Sequence, residues 1–288
     1  MKHTFIAFLL LMSAHVLCYG QTLGIESVTY NGHSECLLLD SGKYTATTLD
    51  TAKFSVTYKS RVLVDTLSKE PFDSHHILLI GDNVNKFLPK DKLRYELSTI
   101  KGSFNFDAVK NQHHVFFYEA IYQDRRTGQT TTTDRLCEDD FITTENTPYQ
   151  DWTLSDEKKV IGQYECTLAE CDFRGRHYFA WYTEEIPMPY GPWKLGGLPG
   201  LIVSAYDLDH HYEYNMTEFG TDSTPIFIIN YNYIEVNRDR LNILTNEVLH
   251  KPVIYMSNHF HLTTRFIPPQ RMAKERDIVY QYDAIERN

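Results

Sequence analysis

The stretch AKFSVTYKSRVLV, residues 52–64, decides the fold class. Phe54, Val56 and Tyr58 alternate with Ser55, Thr57 and Lys59, and a period of two sends the apolar set to one face of a strand and the polar set to the other. The same alternation recurs outward along the chain at 77–80, 115–122, 129–135 and 152–155, with Gly, Asn and Asp between as turn signals. At 177–183, His177, Phe179, Trp181 and Thr183 oppose Tyr178, Ala180 and Tyr182. Residues 201–206 and 212–219 flank Asp207-Leu208-Asp209-His210, which reads as a hairpin turn. One segment changes period. From Asn237, a helix N-cap by residue type, Leu241, Leu244, Val248 and Leu249 follow at helical spacing until Pro252. The pattern predicts a mainly β fold: a strongly curved antiparallel sheet, bowl or half-barrel, with a C-terminal helix across its open side. A β-sandwich is the alternative.

Composition narrows the class. Thirty-eight acidic residues stand against 28 basic ones, for a net charge of −10, so there is no basic stripe and no nucleic-acid partner is expected. Aromatic residues make up 14% of the chain, which excludes disorder and suits half-buried strands. Lys2 and His3, an apolar run over 5–12 and Cys18-Tyr19-Gly20 before Gln21 have the layout of a cleavable secretory signal. The run falls short of the roughly 20 residues that a membrane span needs. The expectation is a signal peptide at 1–20, a single β domain at 21–288 with no transmembrane segment, and export to the periplasm or outer-membrane surface. Cys18 follows Leu17, a large residue that argues against lipid attachment.

Four cysteines remain after such a cleavage, namely Cys36, Cys137, Cys166 and Cys171, and their pairing is open. On one extended strand Cys166 and Cys171 would face opposite sides and lie about 16 Å apart, too far for a disulfide.

Residues 173–203 read FRGRHYFAWYTEEIPMPYGPWKLGGLPGLIV. Pro187, Pro189 and Pro192 remove backbone donors, so the chain must leave the sheet after Thr183. Gly196-Gly197 and Pro199-Gly200 make close turns, the latter suited to a type II turn with positive φ at Gly200. Gly-Leu-Pro-Gly-Leu-Ile at 197–202, with Ala180-Trp181-Tyr182-Thr183, Ile186-Pro187 and Gly191-Pro192-Trp193, resembles the signature of the GLPGLI family of bacterial cell-envelope proteins. The resemblance runs from about Phe54 to Tyr282-Asp283-Ala284-Ile285-Glu286. It implies location and shape but no activity. Gly191, Pro192, Gly197, Leu198, Pro199, Gly200, Leu201 and Ile202 are its structural signature.

Beside the signature, Arg174, Arg176, Trp181, Tyr182, Tyr190, Trp193 and Lys194 combine cations with aromatic platforms, the chemistry of a ligand-binding groove. Glycine, proline and aliphatic residues supply no acid, base or nucleophile, and no G-x-S-x-G, H-E-x-x-H or P-loop occurs. No catalytic residue and no cofactor are therefore expected. His210-His211 and His259-Phe260-His261 have ligand chemistry, but no further ligands are spaced to complete a tight metal site. The sequence thus points to a non-catalytic binding or accessory module for a lipid, peptide or glycan, serving an outer-membrane transporter or another envelope component. An envelope hydrolase using paired carboxylates and a metal-handling protein are the alternatives.

Overall fold

The computed structural model describes residues 14–18, 21–30, 33–39, 44–63, 66, 71–101, 119–136, 139–250 and 285–286. Cys137, His259 and His261 lie outside them, as do residues 115–118 of one expected strand. Strands β1 (Ala14–Cys18), β2 (Gln21–Tyr30) and β3 (His33–Leu39) form a separate three-stranded antiparallel sheet. Cleavage before Gln21 would remove β1 and leave the β2–β3 hairpin.

The principal sheet begins with β4 (Ala46–Val62), whose second half carries the alternation quoted above. Val56, Tyr58, Ser60 and Val62 are buried, whereas Lys59 and Arg61 are exposed. β5 (Phe72–Gly81), β6 (Val84–Pro89), β7 (Ala120–Asp124), β8 (Gln129–Leu136) and β9 (Asp139–Asn146) follow as an antiparallel meander from one side of β4. On the other side stand β14 (Tyr212–Thr221), β13 (Leu201–Asp207), β12 (Arg176–Thr183), β11 (Tyr164–Phe173) and β10 (Thr153–Ile161). β15 (Pro225–Ile229) pairs with the first half of β4, and β16 (Ile234–Glu235) runs parallel to β9. The sheet is one continuous path of curved, almost wholly antiparallel ladder with edges at β10 and β16, rather than a closed barrel or a two-sheet sandwich.

Short hairpins set the registers. Ile161 pairs with Tyr164 across Gly162-Gln163, and Gly162 has φ 61°, as a type II′ turn requires. Phe173 pairs with Arg176 across Arg174-Gly175, both with positive φ, the geometry of a type I′ turn.

Among the described residues two helices cover different faces. The sequence pattern did not predict α1 (Lys90–Ile100), which packs Leu93 against Leu79, Leu88 and Tyr122. The expected helix is α2 (Arg238–His250), where Asn237 Oδ1 accepts a hydrogen bond from Arg240 N at 2.8 Å. Its Leu241, Leu244 and Val248 meet Leu136 and Phe141 on the face opposite to α1. Among the described residues no helix is long and apolar enough to cross a membrane.

Candidate functional site at the corner

Between β12 and β13 the chain leaves the sheet and folds back over one face of it, here called the corner face. Ile186, Trp193, Leu195 and Leu198 of this corner are buried against Val56, Tyr58, Leu78, Phe87, Tyr178 and Tyr214 of the strands. Proline leaves few donors for a ladder, so the corner satisfies its backbone by other means. Gly197 N donates to Pro189 O, Ile202 N to Tyr190 O and Leu201 N to Ile186 O, all near 3.0 Å. Gln150 donates from Nε2 to Lys194 O at 3.2 Å and accepts from Gly196 N at 3.1 Å, while Trp152 Nε1 donates to Gly196 O at 2.8 Å. Tyr58 OH donates to Ile202 O at 2.8 Å.

Within the corner the left-handed glycine is Gly197, with φ 84°, and not Gly200. The expected type II turn at Pro199-Gly200 is therefore corrected. Gly200 is needed because a Cβ there would lie 1.9 Å from Thr183 O. Trp193, in the turn closed by Leu195 N donating to Pro192 O, has φ 56°, a conformation that costs a bulky residue strain.

The corner face also collects charge. Lys194 is 3% exposed, and its Nζ donates to Glu145 Oε1 at 2.8 Å and to Glu286 Oε1 at 2.6 Å. Arg174 donates to Glu145 Oε2 at 2.5 Å, and Arg238 to Glu286 Oε2 at 2.7 Å. Burial by itself would raise the Glu286 carboxyl, but the Lys194 charge and hydrogen bonds from Lys194 and Arg238 hold it below the usual range. A few strands away Arg176 donates to Asp207 Oδ2 at 2.7 Å, with both side chains 1% exposed. Its guanidinium lies 4.6 Å from the Tyr212 ring centroid.

Glu119 and Asp134 are half-buried neighbours on the same part of the sheet, since Ala120 pairs with Thr133. Burial pushes Asp134 up to about 6 and Glu119 up to about 7, and the Asp134 charge further disfavours ionisation of Glu119.

Of the seven residues expected to line a groove, Arg174, Arg176, Tyr182, Trp193 and Lys194 therefore meet on the corner face. Tyr190 also packs there, with the Arg125 guanidinium 5.2 Å from its ring centroid. Trp181 points to the opposite face with Cys166 and Val203, beneath Lys159 Nζ at 3.9 Å. The two faces also separate Cys166 from Cys171, as strand geometry predicts, and both thiols are free and buried.

In the β13–β14 turn, Asp207, Asp209 and His211 bring possible ligand atoms within 4.8 Å of one another. Asp207 is already committed: Oδ2 accepts from Arg176 and Oδ1 from Tyr212 N at 2.8 Å. His210 turns instead to Glu213 at 3.0 Å and stacks on Tyr206. Sequence reasoning missed Glu145, Arg238 and Gln150, because their contacts with Lys194, Glu286 and Gly196 span more than 40 positions and leave no local signal, and it missed Glu119 and Asp134, which become neighbours only through the pairing of β7 with β8. It also missed the buried contact of Ser60 Oγ with His76 Nδ1 at 2.7 Å.

The model of a family of unknown function, Porph_ging, matches residues 175–204, which span β12, the corner and the start of β13. No curated protein matches the chain. Two solved structures of PNGF-II, in space groups P21 and C2, are similar over 67% of this chain at 15% and 14% identity, each with a TM-score of 0.45. The chain spans about a third of the length of those proteins, 33% and 32%.

Proposed function

We propose that the protein is an exported cell-envelope binding module of the GLPGLI type, which holds its ligand at the corner and serves an outer-membrane transporter or another envelope component. The observation that carries this reading is the convergence of Lys194, Arg174 and Arg238 on two carboxylates beside Trp193, all on one face of an open sheet. Cations beside an aromatic wall hold oxygen-rich ligands without needing a reacting group. Location rests on the signal-like N-terminus. The test is native mass spectrometry of the protein purified from a bacterial envelope, for which a co-purifying ligand, lost in Lys194→Met, is expected. Purification from the envelope without any bound molecule, in several growth states, would remove the support for this reading.

The alternative of a hydrolase is favoured by Glu119 and Asp134, whose unequal, raised pKa values are the property an acid–base pair needs. It predicts turnover of an envelope polymer that Glu119→Gln abolishes, and retention of turnover in that variant would exclude this pair.

A further inference from the structure

Ile285 and Glu286 contact the corner in the manner of a bound peptide. The Ile285 carbonyl accepts from Arg176 Nε at 3.2 Å, and its side chain packs on the corner-face core. The Glu286 carboxylate, 5% exposed, takes one hydrogen bond from Lys194 and one from Arg238. The receiving groups come from β12 and the corner that follows it, and from α2 more than 40 positions further on. A guanidinium for a carbonyl, an apolar wall for an aliphatic side chain and two cations for a carboxylate together read a short extended peptide.

Two further observations point the same way. Arg174 Nε, Trp193 Nε1 and Tyr178 OH are buried and have no hydrogen-bond partner among the described residues, and the Tyr178 and Trp193 ring centroids are 6.0 Å apart in this wall. Ile285 and Glu286 leave these donors unused, and a peptide with more acceptor oxygens could engage them. The charge balance also favours an acidic occupant: Lys194, Arg174 and Arg238 are three cations facing Glu145, Glu286 and Asp239, the last paired with Arg238 at 2.9 Å, and without Glu286 two carboxylates would face the three cations. Glu119, the other acid whose charge acts on Lys194, is held largely protonated below about pH 7 by burial.

We propose that Arg176, Lys194, Arg238 and the Trp193 wall form a binding site for acidic peptides that carry an aliphatic residue before a glutamate, filled in this chain by its own Ile285-Glu286. This deepens the binding-module reading by naming the ligand class. Another protein's acidic segment binds when the internal one is displaced, so the internal pair acts as a competitor that sets the threshold for the external one.

The test uses the full chain with Ile285→Ala and Glu286→Ala together, and a synthetic peptide, QYDAIERN, matching residues 281–288. By titration calorimetry the peptide should bind the variant with a Kd below about 1 mM and raise its Tm, as a ligand of the folded state must. The parent chain should bind it at least tenfold more weakly. The same peptide with glutamine in place of its second acidic residue should also lose at least tenfold. If the double variant does not fold, Glu286→Gln in the full chain replaces it, with the same expected ranking. Absence of binding in the folded variant, or equal binding of the glutamine peptide, overturns the proposal. Should the peptide fail while envelope-purified protein still carries a ligand lost in Lys194→Met, the binding-module reading stands and only the peptide assignment falls.

Discussion

At Gly200 a Cβ would stand 1.9 Å from the Thr183 carbonyl oxygen and 2.6 Å from its carbon, both backbone atoms that cannot swing away. Gly200→Ala is therefore expected to destabilise the fold by about 1–3 kcal/mol or more through forced backbone movement, read as a lower urea midpoint. The cause is close approach and not a left-handed φ. Trp193 is 1% exposed and packs edge-on to Phe173 at 5.6 Å between ring centroids. Trp193→Ala should cost about 3–5 kcal/mol in the same assay, reduced by whatever strain its φ of 56° stores. A variant that melts like the parent would mean the ring is not part of the core.

Helix α2 brings Arg238 to Glu286 and its apolar stripe to β8 and β9, so its first turn couples local helix formation to the charge cluster. Asn237→Ala removes the cap on Arg240 N and should cost about 1 kcal/mol, seen as faster amide exchange in the first turn of α2 before any change in β4. Exchange rates unchanged there would show that the cap contributes nothing. In α1, Leu93, Leu97 and Ile100 stand at helical spacing, and its Glu96 meets Lys86 at 2.5 Å, with the lysine side chain fully buried beside Tyr122 and Phe227. Partners on β6, β7 and β15 add to that periodicity.

Over the whole molecule, Glu119 and Asp134 make stability depend on pH in a direction opposite to the usual carboxylate. Their folded pKa values, about 7 and about 6, lie above the ordinary 4.5 and 3.8, so the folded state holds more protons than the unfolded one in this window. The contribution is fully present below about pH 4 and is lost as pH rises through about 6 to 7. Glu286 and Asp50 act in the opposite sense, because their lowered pKa values favour the fold above the carboxylate range. Glu119→Gln isolates one group. It should flatten the fall in Tm between pH 5 and 8 and raise stability at pH 8 by on the order of 1–3 kcal/mol. A Tm profile superimposable on that of the parent would show that Glu119 is not held protonated by the fold.

Alternation at 52–64 and at 177–183, the turn at Asp207-Leu208-Asp209-His210 and the run from Asn237 were enough to identify β4, β12, the β13–β14 hairpin and α2, because each depends on side chains close together in the chain. The departure of the chain at Pro187, Pro189 and Pro192 was legible for the same reason, since proline acts on its own backbone. The tertiary structure alone decided that the corner turns inward and that Lys194 meets Glu145 and Glu286. Those contacts join residues 49 and 92 positions apart. Many acids in the sequence are equally suited to pair with Lys194, and only the path of the folded sheet brings these two within hydrogen-bond reach.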